Sequence, residues 1–143
     1  MDTIANPITA TIRVLERAPH VMEILGSTGR VAGGEIPKRW VESMPRPGIV
    51  VVPAGGGEKP GARDRVPVKV PRIDVRCYHS TPEKAHTLAL AVEYELQQWN
   101  YGRAGGVLVH WFNHVNGPVQ YRTDPGDWPV AVSTFRMQYA TVA

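Results

Sequence analysis

The stretch from Pro71 to Trp99, PRIDVRCYHSTPEKAHTLALAVEYELQQW, changes its hydrophobic period once, and that change predicts a strand followed by a helix folded back on it. From Ile73 the residues alternate. Ile73, Val75 and Cys77 share one face, and Arg72, Asp74, Arg76 and Tyr78 share the other, the pattern of a half-buried strand. After His79, Ser80 stands three residues before Glu83 in capping-box spacing, and Pro82 falls in the first turn, where its missing N–H costs nothing. A helix is expected to begin here. Ala85, Leu88, Ala89, Val92, Leu96 and Trp99 then recur at spacings of three and four, one apolar stripe that can lie on Ile73, Val75 and Cys77.

The rest of the chain can be placed around this unit. Asn6 followed by Pro7 is an N-cap with proline at the first helical position, and Ile8, Ile12 and Leu15 keep helical spacing. Pro19 ends that segment and opens a second short one, which Gly26 stops. Residues 26–47 show little periodicity and are expected to form a wrapping loop, with Trp40 as an anchor against the core or a neighbouring subunit. Ile49 to Val52 is a short apolar run suited to a strand buried on both faces.

Residues 53–70 are expected to form a projecting hairpin arm. Its Gly-rich tip, GGGEKPGARDR at 55–65, carries Lys59, Arg63 and Arg65 against Glu58 and Asp64, and it lacks the Lys-Ser/Thr and following helix of a phosphate loop. Pro67 and Pro71 remove donors from one side of the returning limb, which suits a protected edge strand or an arm that meets another subunit in one way only. Beyond the helix, Gly106 to Val115 reads as an internal strand, Asn116 to Pro118 as a turn, Val119 to Tyr121 as a brief pairing segment and TDPGD at 123–127 as a second turn. A long strand closes the chain from Trp128 to about Val142. On one of its faces stand Ala131, Ser133, Phe135, Met137 and Tyr139, and on the other Val130, Val132, Thr134, Arg136 and Gln138. The expected fold class is α+β: a mixed, largely antiparallel sheet with one main helix packed on it, an N-terminal helix and a long projecting β-hairpin. Its 143 residues suit one domain, 1–143, with a real core.

Composition narrows function mainly by exclusion. No apolar run approaches the roughly 20 residues of a membrane span, and the N-terminus lacks a secretory layout, so a soluble protein made in a cytoplasm is expected. With Cys77 alone there is no internal disulfide and no thiolate metal cluster, and its inward position makes it a buried thiol. A net charge of +3 and pI near 9.2 fit nucleic acid or an acidic partner without choosing between them. His79, Glu83 and His86 gather near the strand-to-helix corner, but 79 precedes the helix. His110 and His114 share a face of one strand yet lie about 13 Å apart along it, too far for one metal. Hydrolase and dinucleotide motifs are absent. The sequence asks for no catalytic residue, cofactor or metal, and the chain is expected not to be an enzyme.

In this order of elements the chain resembles the tail terminator (tail completion) proteins of long-tailed bacteriophages. The resemblance rests on IDVRCYHSTPEKAHTLALAVEYELQQW, on the GP turn at Gly117 and Pro118, on the DPG turn and on the terminal VAVSTFRMQY. It implies a structural virion protein, assembled in the host cytoplasm, forming a ring, usually a hexamer, on the head-proximal end of the tail tube. Such a ring stops the tube from growing and offers a docking surface to the head. The partners implied are further copies of the chain, the tail tube protein, the head–tail connector protein and genomic DNA passing through the lumen, with no membrane. Lys59, Arg63, Arg65 and Trp40 are the candidate interaction residues. Two other classes stay open: another neck or head-completion ring protein, and a small metal-dependent enzyme using His79, Glu83 and His86.

Overall fold

In a computed structural model, which describes residues 6–41, 46–54, 68–123 and 127–140, the change of period after Tyr78 becomes strand β4 (Arg72–Tyr78) and helix α4 (Pro82–Gln98). The cap is one residue later than expected. Thr81 accepts from the Lys84 backbone N–H at 3.2 Å, so Pro82 takes the first helical position and Ser80 lies outside the helix. Ile73, Val75 and Cys77 are fully buried beneath Leu88, Ala89, Val92 and Leu96, as the two periods require. Burial pushes the Cys77 thiol pKa far up, so the thiol is inert packing.

Helix α1 (Pro7–Glu16) begins where Asn6 Oδ1 accepts from the Ile8 and Thr9 N–H groups, at 2.9 and 3.3 Å. Pro19 opens α2 (Pro19–Leu25), and Gly26 closes it in the left-handed conformation at φ 75°. The expected wrapping loop at 26–47 holds regular structure instead. A 3-10 turn (Thr28–Arg30) leads into β1 (Val31–Gly33), and α3 (Lys38–Val41) follows before β2 (Gly48–Pro53). The three residues of β1 are too few to show a period, yet they pair parallel with β2, Val31 opposite Ile49.

The remaining strands are β3 (Val68–Lys69), β5 (Gly102–Ala104), β6 (Val107–Thr123) and β7 (Trp128–Ala140). The sheet order is β1-β2-β4-β7-β6-β5, with β3 also on β7, and every pairing except β1–β2 is antiparallel. This is the mixed, largely antiparallel α+β fold that the sequence predicts. No helix of the described residues is long and apolar enough to cross a membrane.

One expectation about edges is corrected. Strand β4 is internal, paired with β2 on one side and β7 on the other. Pro71 does not block it, because that proline sits just before its first residue and offers its carbonyl to the Met137 N–H at 3.1 Å. Pro67 lies outside the described residues. Pro53 pairs with Ile73 and the Ala54 N–H donates to the Arg72 carbonyl at 3.1 Å, while Val68 and Lys69 of the expected returning limb pair with β7. Its tip, with Lys59, Arg63 and Arg65, also lies outside the described residues.

The Asn116–Pro118 segment is not a turn. Strand β6 runs straight through it, still paired with β7, and the register slips between Val109 and Trp111, His114 and Asn116, and Asn116 and Val119. These are bulges. Gly117 holds φ 92° there, and a Cβ at that position would strike the Val132 carbonyl. Beyond Trp111, β6 has no outer partner among the described residues. The bulges and Pro118 therefore fall where a free edge needs protection.

Candidate functional site

The strands at the centre of the sheet carry two different faces, because their side chains alternate. One face lies under α1, α2 and α4 and holds the main core. The other receives Arg72, Asp74, Arg76 and Tyr78 from β4, and Val130, Val132, Thr134, Arg136 and Gln138 from β7. At one end it is roofed: Trp40, Val50, Val52, Tyr78, Trp128 and Val130 form a small second core, with Ala32 and Ile36 packed against it. Over the remainder no described helix packs.

The register sets out that open area row by row. Arg72 stands opposite Arg136, which stands opposite Asn113. Asp74 faces Thr134, then Asn116. Arg76 faces Val132, then Val119. Among the described residues three arginines thus share these rows with one acid, Asp74, whose Oδ1 accepts from the Thr134 hydroxyl at 2.6 Å. Neither Arg72 nor Arg76 has an ion-pair partner among the described residues, and the Nε of each is buried without an acceptor there. Burial raises the pKa of Tyr78 in the next row, and neighbouring Arg76 pulls it partly back.

The comparisons with known proteins can now be set beside this geometry. No protein-family model matches the chain, and no curated protein matches its sequence. A solved structure does. The chain is similar to one in the structure described as the virion of a native gene transfer agent (GTA) particle, with a TM-score of 0.67 over 94% of both chains and 12% identity. At that identity the likeness shows a shared fold across nearly the whole length.

Trp40, predicted as an anchor, is 1% exposed and held inside its own subunit. Arg30 lies over its ring at 4.4 Å, and Gly48 leaves room for it, because a Cβ there would come within 2.8 Å of the indole. Arg30 is itself 6% exposed, its Nε donating to the Pro47 carbonyl at 2.8 Å. Burial, then Arg46 and Arg39, lower the Arg30 pKa. Beside it, Ser27, Gly29, Arg39 and Arg46 complete the lining of a pocket of about 340 Å³.

The histidines do not converge. Among the described residues no three His, Cys, Asp or Glu side chains are placed to hold a metal. His79 accepts from the Ser80 N–H at 2.7 Å, and burial, followed by Lys84, lowers its pKa. His110 and His114 were expected on one face, but the bulge at His110 separates them. Gln138 donates to His110 from the open face, at 2.7 Å, whereas His114 meets Glu93 of α4 at 3.1 Å on the covered one. The arginine patch was not singled out from the sequence. Its members stand in the alternating runs of β4 and β7, but only the strand register brings them together.

Proposed function

We propose that this chain is a structural protein of a tailed, phage-like virion, not an enzyme, and that within the virion it is the tail terminator. The observation that carries the virion reading is the fold shared, over 94% of both chains, with a chain of the gene transfer agent particle. The terminator role rests on the resemblance across the β4–α4 unit and the terminal strand. In this role copies of the chain close into a ring, a hexamer, that sits on the head-proximal end of the tail tube and meets the head–tail connector. Stopping a polymer needs a ring that matches the last tube layer on one face and refuses another layer on the other. A rigid sheet with short or bulged edges suits such a ring, because it does not add further strands at random.

The test is tube growth. Purified tube protein polymerising alone should give tubes of unregulated length, and adding this chain should shorten them and leave it bound at one end. Tubes of unchanged length, with the chain absent from their ends, would remove the terminator role.

A further inference from the structure

We infer that the pocket between the 3-10 turn and α3 binds a phosphate group, held by the guanidinium groups of Arg39 and Arg46. The site goes beyond the proposed function and does not rest on it.

The lining of the pocket offers donors and positive charge. Of its described residues, Ser27, Gly29, Arg30, Arg39, Trp40 and Arg46, three are arginines and none is acidic. Arginine stays protonated throughout the physiological range, so this charge is present at every working pH. The Ser27 hydroxyl accepts from the Gly29 N–H at 3.2 Å, which leaves its own hydrogen to donate outward. A ligand made of acceptors matches such a lining, and an oxyanion is one.

The arginines divide into a wall and two contacts. Arg30 is buried and already engaged: its Nε and Nη2 donate to the Pro47 and Arg46 carbonyls, at 2.8 and 3.2 Å, and its guanidinium lies over Trp40 at 4.4 Å. It forms the wall, and it fixes the backbone that carries Arg46. Arg39 immediately precedes Trp40, which is packed into the second core. Arg39 and Arg46 are thus anchored at their backbones and exposed at their side chains, and neither guanidinium has a hydrogen bond or ion pair among the described residues. Both lie close enough to Arg30 to lower its pKa, after the larger effect of burial, so the positive charges act on one another across the pocket. An anion there relieves that repulsion. With the backbone already fixed, binding it costs only the ordering of two side chains.

The charge balance favours phosphate over a carboxylate. A carboxylate brings one negative charge to the two exposed arginines, whereas a phosphate group brings close to two near neutral pH and enough oxygens for a paired fork from each arginine. The pocket, about 340 Å³, is at the small end of ligand sites, which run from roughly 300 to 1,000 Å³. That volume suits the free ion or a single phosphate group presented by a larger molecule.

Calorimetric titration of the full-length chain with inorganic phosphate, in chloride buffer of matched ionic strength, reads the site. Saturable binding is expected, and Arg39→Gln and Arg46→Gln should each weaken it about tenfold or more, as the loss of a hydrogen bond to a charged group implies. Arg103→Gln removes the same charge at an exposed position on β5 and should leave the affinity within about twofold, which separates a site from a general effect of charge. Because the two contact side chains have no partners, both pocket variants should keep the melting midpoint of the unaltered chain when phosphate is absent. A midpoint that falls would place these arginines in the fold and count against the site. Adenosine monophosphate separates the two sources: tighter binding than inorganic phosphate assigns a phosphate carried by a larger molecule, and equal or weaker binding assigns the free ion. No binding of either at about 10 mM, an affinity for acetate equal to that for phosphate, or folded Gln variants that bind as well as the unaltered chain would overturn the inference.

Discussion

The two faces of the central sheet are built by alternate residues of the same strands, and they differ in almost every property. On β4, Ile73, Val75 and Cys77 are sealed under α4, while Arg72, Asp74 and Arg76 stand half-buried with no helix of the described residues above them. On β7, Ala131, Phe135 and Met137 join the core, while Thr134, Arg136 and Gln138 do not. The covered face carries the hydrophobic stabilisation of the fold. The open face adds to it at its roofed end, where Trp40, Val50, Val52, Tyr78, Trp128 and Val130 form the second core.

That contrast can be broken most easily from the covered side. Leu96→Ala should leave a cavity against β4 and cost about 2 to 5 kcal/mol in a denaturant melt, whereas Arg76→Gln on the open face should cost less than about 1 kcal/mol. Equal losses would mean that the open face also holds the fold together. The roofed end of that face should behave like core. Gly48→Ala forces a Cβ against the Trp40 ring and should cost about 1 to 3 kcal/mol, and intrinsic Trp fluorescence should report the displaced indole.

A finer test separates neighbours at the corner where the chain leaves β4. Thr81→Ala should lose about 1 kcal/mol with the cap of α4, and Ser80→Ala should lose only a fraction of that. The reverse order would restore the cap read from the sequence. The smallest effect is expected from pH. His79 has a folded pKa below its ordinary 6.5, so the unfolded chain binds the proton more readily. Stability should therefore fall as pH drops below about 6.5, by a modest amount that His79→Gln removes.

Much of the covered face was legible because both its signals are periodic. Ile73, Val75 and Cys77 alternate, Leu88, Val92 and Leu96 recur at helical spacing, and each pattern predicts the other's position. Asn6, Pro19 and Gly26 were legible for a local reason, since capping and helix breaking act within a few residues. What was not legible depends on register. The bulges of β6 send Phe112 into the core and part His110 from His114, and nothing in a period-two reading announces them. Strand β1 is shorter than any period that could reveal it. The arginine patch joins residues 72 and 76 to residue 136, a meeting that exists only once β4 and β7 pair.

The central claim, that copies of this subunit close into a tail-terminating ring, is tested most directly by cryo-electron microscopy of the particle that carries this chain. The account predicts a ring of copies at the head-proximal end of the tail tube. Copies placed elsewhere in the virion, or copies that form no ring, would contradict it.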